Sequence, residues 1–418
     1  MNLNNPKGSP INFDMSTPGS PCYCSSKMQF FDCCYKSKQS DPIFQKSAGA
    51  KEGSIRARIF NQQGKCMFPG CKNDAAESHL ISEKSQLGAI AQKASSKGAT
   101  KAVITPISAR KKDVNIDRET PPSNALKAPI FCNENGFRHD SILFKYLDNA
   151  PKNFVEDRVA RYTSAYRSIC GILSLKIKEL EFHRDKETFE MRLSKMPSKL
   201  TRQESNVFFY EAYKEVVKQN NRTALAINKL IAIKHNMDGC IEIFDGSVQV
   251  AGNHAIHVCV PIKGTPPILI SSCESTTFKN GDMATFAIHT IQSSTGWELV
   301  QTIFPLDEIS IAHAKLALDL HSKRTYGSEF GQDILLETLL SCHEIIAINP
   351  EWVAVLTPNQ KSDLNSMLER GRDGNPIDLS KFSRTNYDSR WELDQSNFYG
   401  DLLANQISDW GFTNIIPK

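Results

Sequence analysis

Seven of the 12 cysteines fall within the first 132 of 418 residues, and their spacing is the strongest chemical signal in the chain. Cys22 and Cys24 are followed by the adjacent pair Cys33 and Cys34, a C-x-C-x8-C-C pattern. Cys66 and Cys71 bracket a Pro-Gly turn as C-x4-C, and Cys132 and His139 follow as C-x6-H. Met1 to Gly19 is polar with no apolar core, which predicts no secretory leader and a reducing, cytoplasmic location. In that setting clustered thiols point to metal before disulfide. Four soft thiolates in a short loop suit tetrahedral zinc, and so small a segment folds only on its metal. The other five, Cys170, Cys240, Cys259, Cys273 and Cys342, are scattered. Those in apolar surroundings read as small buried core residues.

The elements that must carry these residues can be placed from pattern. Residues 1–20 read as a flexible tail, 21–40 hold the first cysteine cluster, and 54–148 form a unit around the second. Within that unit, Lys93 to Ala128 is polar and basic with Pro106, Pro121 and Pro122, and predicts a long insertion or loop. Apolar residues at steps of three and four predict a helix from Asn153 to about His183 with one buried stripe. A second runs from Arg202 to about His235. The two form a helical hairpin over 153–236. From 239 to 418 the pattern is α+β. Strands are predicted at Cys240–Phe244, Ala255–Ile262, Pro267–Ser272, Met283–Gln292 and Trp297–Phe304, paired antiparallel across signals such as Asp245-Gly246. Helices follow at Ile309–Ser322, Gly331–Ile346, Thr357–Glu369 and Leu402–Trp410. The fold class expected is α+β throughout.

Charge is divided unevenly. Residues 1–130 carry a balance of +9 and the remainder −5, so a basic front end precedes a slightly acidic body. That distribution suits an anionic partner such as DNA as well as it suits a solvated basic face. No apolar run approaches the ~20 residues that span a bilayer, so no membrane partner is expected. No G-x-x-x-x-G-K-S/T occurs, which excludes a P-loop ATPase. The apolar stripes of the helices are compatible with an oligomer and equally with covering the sheet.

Two resemblances sharpen these expectations. Cys22-Tyr23-Cys24 through Cys33-Cys34 resembles the SEC-C motif, a zinc-binding knuckle, with Tyr23 at its usual Pro and Ser25-Ser26-Lys27 at its Gly-Ser-Gly turn. It implies zinc on Cys22, Cys24, Cys33 and Cys34 and an adaptor role toward a protein partner. The second is larger. A knuckle, a strand carrying His79 and a helix opened by Cys132 and His139 make up a treble-clef zinc fold. Ser78-His79-Leu80-Ile81, with Phe131-Cys132 and then His139-Asp140-Ser141-Ile142-Leu143-Phe144, resembles a variant group of bacterial HNH, or ββα-metal, nucleases.

That resemblance implies His79 as the general base that activates water for attack on phosphorus. It implies structural zinc on Cys66, Cys71, Cys132 and His139, about two zinc sites per chain in all. It also implies a divalent ion such as magnesium or manganese to stabilise the pentacovalent charge. Asp140 stands beside His79 as a catalytic candidate. Ser78 occupies the place where the class has an acidic metal ligand, and the second knuckle is wider than usual. A second assignment stays open, with His79 as fourth zinc ligand and His139 as the catalytic or metal-binding residue. The function expected is a metal-dependent endonuclease cleaving DNA, in a phage-defence, restriction or toxin setting. The alternative is a non-catalytic zinc-dependent adaptor for nucleic acid or protein.

Overall fold

The computed structural model describes residues 52–93, 101–108, 111–133, 138–148, 158–185, 188, 202–251, 256–277, 283–293, 296–303, 345–372 and 391–393. Cys22, Cys24, Cys33 and Cys34 lie outside them, as do the helices predicted at Ile309–Ser322 and Leu402–Trp410. The fold mixes helices with antiparallel sheet, and contacts divide it into two compact units.

One unit contains α1 (Glu52–Phe60), the part of α3 (Arg158–Arg184) from Leu173, and α4 (Arg202–Asp238) as far as Ile231. Its core gathers Ile55, Ile59 and Phe60 on Phe182, with Leu175 against them. Arg56 lies over the Phe182 ring at 4.2 Å, and Arg58 pairs with Asp185 at 2.9 Å.

The other unit holds the sheets and the second cysteine cluster. Strand β1 (Ala76–His79) pairs antiparallel with β7 (Lys127–Phe131), setting His79 opposite Lys127. Helix α2 (His139–Asp148) follows. Short strands occupy the stretch expected to be a loop: β2 (Gln92–Lys93), β3 (Lys101–Ile104), β4 (Ile107–Ser108), β5 (Lys111–Val114) and β6 (Glu119–Thr120). The reason is burial. Ala102, Val103 and Ile104 are covered, and β3 pairs with a strand far along the chain.

That partner is β14 (Ile346–Ile348), which joins β3 to the main sheet. The helix predicted to end at Ile346 gives way there to a strand, because Ile346, Ala347 and Ile348 are all buried between β3 and β11 (Ile268–Thr277). The order runs β15 (Trp391–Leu393), β10 (Ile256–Gly264), β13 (Gly296–Ile303), β12 (Met283–Ser293), β11 (Ile268–Thr277), β14, β3, β2. A separate hairpin, β8 (Ile241–Phe244) and β9 (Ser247–Val250), turns through Asp245 and Gly246 at φ 48° and 66°. Those positive angles are what a two-residue primed turn demands, and Asp-Gly supplies them. Asn349 caps α5 (Pro350–Val355), its side chain accepting from the Glu351 N–H at 2.9 Å, and α6 (Pro358–Arg372) follows.

The first half of α3 departs from the single buried stripe predicted for it. Residues 160–170 are buried on every side, Arg161, Thr163, Ser164, Arg167 and Ser168 included. Polar side chains survive there because they find partners. Tyr162 donates to the Met237 carbonyl at 2.9 Å, and the Ser168 and Ser271 hydroxyls meet at 2.8 Å, tying this helix to β11. Among the described residues no helix is long and apolar enough to cross a membrane.

Candidate metal centre and its surroundings

Residues 65 to 75 fold back on themselves. The Cys66 N–H donates to the Asn73 carbonyl at 2.9 Å and the Cys71 N–H to the Phe68 carbonyl at 3.2 Å. Gly70 takes φ 71°, a left-handed angle that glycine accepts without strain. The loop is pinned to β7 by Met67 N–H to the Ile130 carbonyl at 2.8 Å, which carries Cys66 and Cys71 to the end of the strand where Cys132 follows. Beyond it, His139 is the first residue of α2, and the Asp140 N–H donates to the Cys132 carbonyl at 3.2 Å.

These elements bring Cys66, Cys71, Cys132 and His139 together, their ligand atoms all within 4.8 Å of one another. A tetrahedral ion with Zn–S bonds of about 2.3 Å sets its sulfurs ~3.8 Å apart, and with Zn–N near 2.05 Å a sulfur and a nitrogen stand ~3.6 Å apart. Cys71 Sγ lies 3.8 Å from Cys132 Sγ. His139 Nδ1 lies 3.4 Å from Cys66 Sγ and 3.2 Å from Cys132 Sγ. The donor set, three thiols and an imidazole, is one that a metal ion such as zinc takes, and these three edges come within about 0.4 Å of the tetrahedral figures.

The surroundings set the protonation of these donors. Burial pushes the Cys66 thiol up to about 12, against the backbone N–H groups of Phe68 and Cys132 that face its sulfur and pull it down. Without an ion this thiol keeps its proton, and an ion must displace it. Burial also lowers His139, leaving the neutral imidazole that a metal requires. Phe68 stacks on the His139 ring at 4.3 Å between centroids. The Asn73 side-chain amide donates toward Cys132 Sγ at 3.9 Å.

His79 is not part of this group. Its Nδ1 lies 3.1 Å from the Ala125 carbonyl, and its Nε2 lies 3.1 Å from Glu83 Oε2. A carbonyl only accepts, so Nδ1 carries the proton. Burial, with the charges of Lys127 and Arg167, holds His79 below the usual histidine range, although Glu83 and the Ala125 bond pull the other way. Asp140 faces Arg167, whose Nη1 donates to its Oδ1 at 3.4 Å, while Nη2 donates to the His79 carbonyl. This buried guanidinium also lies 5.9 Å from the Phe131 ring. Arg167 thus joins the end of β1 to the first turn of α2.

Compared with known proteins, the chain matches no family model, no curated protein and no solved structure. Two residues of these surroundings escaped the sequence reading. Glu83 stands four residues after His79, a spacing with meaning only once a turn is known to follow the strand. Arg167 sits within a helical stripe, and its partners are 27 and 88 residues away.

Proposed function

We propose that this chain hydrolyses phosphodiester bonds, in DNA, through His79 and a divalent ion, on a zinc-stapled ββα unit formed by β1, β7 and α2. One observation carries the proposal: the His79 ring is pinned through Nδ1 to a backbone carbonyl, so that Nε2 presents its lone pair. A presented lone pair is what a group needs to take a proton from water, or to hold an ion that activates that water. Burial and the neighbouring cations favour the neutral ring that keeps the lone pair available. Lys127, directly opposite His79 in the β1–β7 register, offers a positive charge to a phosphate. Asp140 acts at one remove in this reading, by holding Arg167 against the His79 carbonyl. Zinc on the Cys66, Cys71, Cys132 and His139 set has no chemical step of its own and fixes the strands and helix around His79.

The test is supercoiled plasmid incubated with the full chain and magnesium or manganese. Cleavage is expected, and His79→Ala is expected to reduce it by roughly 10²- to 10⁴-fold with zinc content unchanged. Absence of cleavage by the zinc-loaded wild type with either ion overturns the proposal. A second reading, a zinc-dependent adaptor without chemistry, draws on the fact that both ring nitrogens of His79 face protein partners. Plasmid retained but left uncut would support it.

A further inference from the structure

The contact between His79 and Glu83 pairs two electron-rich atoms. With the Nδ1 proton committed to the Ala125 carbonyl, a neutral ring turns a lone pair toward Glu83 Oε2, 3.1 Å away. A carboxylate only accepts, so the gap is filled either by a second ring proton, as an ion pair, or by a metal ion, and burial with the nearby Lys127 and Arg167 charges works against the second proton. Such a gap is stabilised by positive charge placed against both atoms. An octahedral ion with bonds of about 2.1 Å sets adjacent ligands ~3.0 Å apart. The observed separation matches that edge.

The two donors are prepared differently, and in a useful way. The His79 side chain is 13% exposed and fixed, whereas that of Glu83 is 44% exposed and opens the site to solvent. Water and phosphate oxygens could complete the coordination from that side, as they do for ions bound through few protein ligands. The backbone beneath Glu83 is held firmly. Ser82 caps the turn over Glu83–Leu87, its hydroxyl accepting from the Ser85 N–H at 3.3 Å. The Ser82 N–H donates to Gln86 Oε1 at 2.8 Å, and Gln86 Nε2 donates to the Thr290 carbonyl of the main sheet at 2.6 Å. The Gly88 N–H donates to the Glu83 carbonyl and closes the turn. Neither of the other candidate residues supplies this carboxylate: Ser78 has none, and Asp140 is engaged by Arg167.

We propose that His79 Nε2 and Glu83 Oε2 are the two protein donors of an open divalent-cation site, separate from the Cys66, Cys71, Cys132 and His139 set. One imidazole and one carboxylate with oxygen ligands around them suit manganese or magnesium better than the thiol-rich cluster does. The inference rests on the proposed hydrolysis only for what the ion is for; the binding stands on the geometry.

Manganese is the probe. Zinc-loaded full-length protein is titrated with Mn²⁺, and the loss of the free-ion electron paramagnetic resonance signal reports binding. One manganese site is expected in the wild type. Glu83→Gln and His79→Gln should each weaken it at least tenfold with zinc content unchanged. Absence of manganese binding by the wild type overturns the inference, and so does wild-type affinity in Glu83→Gln. The two proposals fail separately. Manganese bound but plasmid uncut removes the hydrolysis alone, and plasmid cut without manganese binding at Glu83 removes the cation site alone.

Discussion

Replacing Cys132 by serine takes one corner from the Cys66, Cys71, Cys132 and His139 set and should show whether the group holds an ion that stabilises the fold. Cys132 has no exposed surface, and its sulfur is 3.8 Å from Cys71 Sγ and 3.2 Å from His139 Nδ1. No other cysteine or histidine belongs to the cluster to replace it, among the described residues. An ion present at 1,000 times its Kd stabilises the folded state by about 4 kcal/mol. At roughly 2–4 °C per kcal/mol for a domain of this size, chelation should lower the wild-type melting temperature by about 8–16 °C. Cys132→Ser should already sit near the chelated value and respond little to chelator. Its zinc content should fall by about one ion per chain. Cys170→Ser is the control, a buried thiol outside the cluster, and should keep the wild-type zinc content. The reasoning fails if Cys132→Ser retains both the zinc and the chelator-sensitive melting of the wild type.

Three further outcomes follow from packing and charge. Gly171→Ala gains about 1 kcal/mol of helix propensity but drives a methyl into Leu80 and toward Ile130 Cδ1 at 3.5 Å, a conflict that costs roughly 1–3 kcal/mol; denaturant unfolding should show a net loss that Leu80→Ala relieves, and strictly additive effects would refute the contact. Arg167→Met leaves the Asp140 carboxylate and the His79 carbonyl without this donor and should cost about 3 kcal/mol, with a loss under 1 kcal/mol counting against it. Burial holds His289 down to about 3, so below the ordinary value near 6.5 the unfolded chain takes a proton that the folded chain refuses. Its contribution to stability is unchanged above that value and falls with pH through the window by about 1.4 kcal/mol per unit; His289→Gln should remove that slope, and identical acid slopes for both proteins would exclude the buried neutral ring.

Legibility followed the range of the interactions. The C-x4-C turn with Pro69-Gly70 inside it, and the Cys132 and His139 pair, are local patterns whose chemistry is carried by residue type alone. The long helices announced themselves by periodicity, and the strands from 241 to 303 by the turns between them, Asp245-Gly246 most clearly. The strands between residues 92 and 120 did not, because each has only two to four residues and their pairing partners are not visible in a local window. Ile346-Ala347-Ile348 is a three-residue apolar run, too short for any period to separate strand from helix. Arg167 and Ser168 were also hidden. Their burial depends on hydrogen bonds to distant elements, which composition does not reveal. Glu83 carries no signal of its own until a turn returns it to His79.

The seat of β14 has a practical consequence for anyone dissecting the chain. Ile348 pairs with Ile104, so among the described residues the outer side of that late strand meets a segment nearly 250 residues earlier. A fragment ending after α2 would keep every thiol of the Cys66, Cys71 and Cys132 set. It would also leave Ala102-Val103-Ile104 as an apolar strand with an open flank, ready to pair with copies of itself. Such a fragment should load zinc and yet precipitate. Insolubility of a short version would then report missing packing partners, β14 and α3 among them, and would carry no information about the metal.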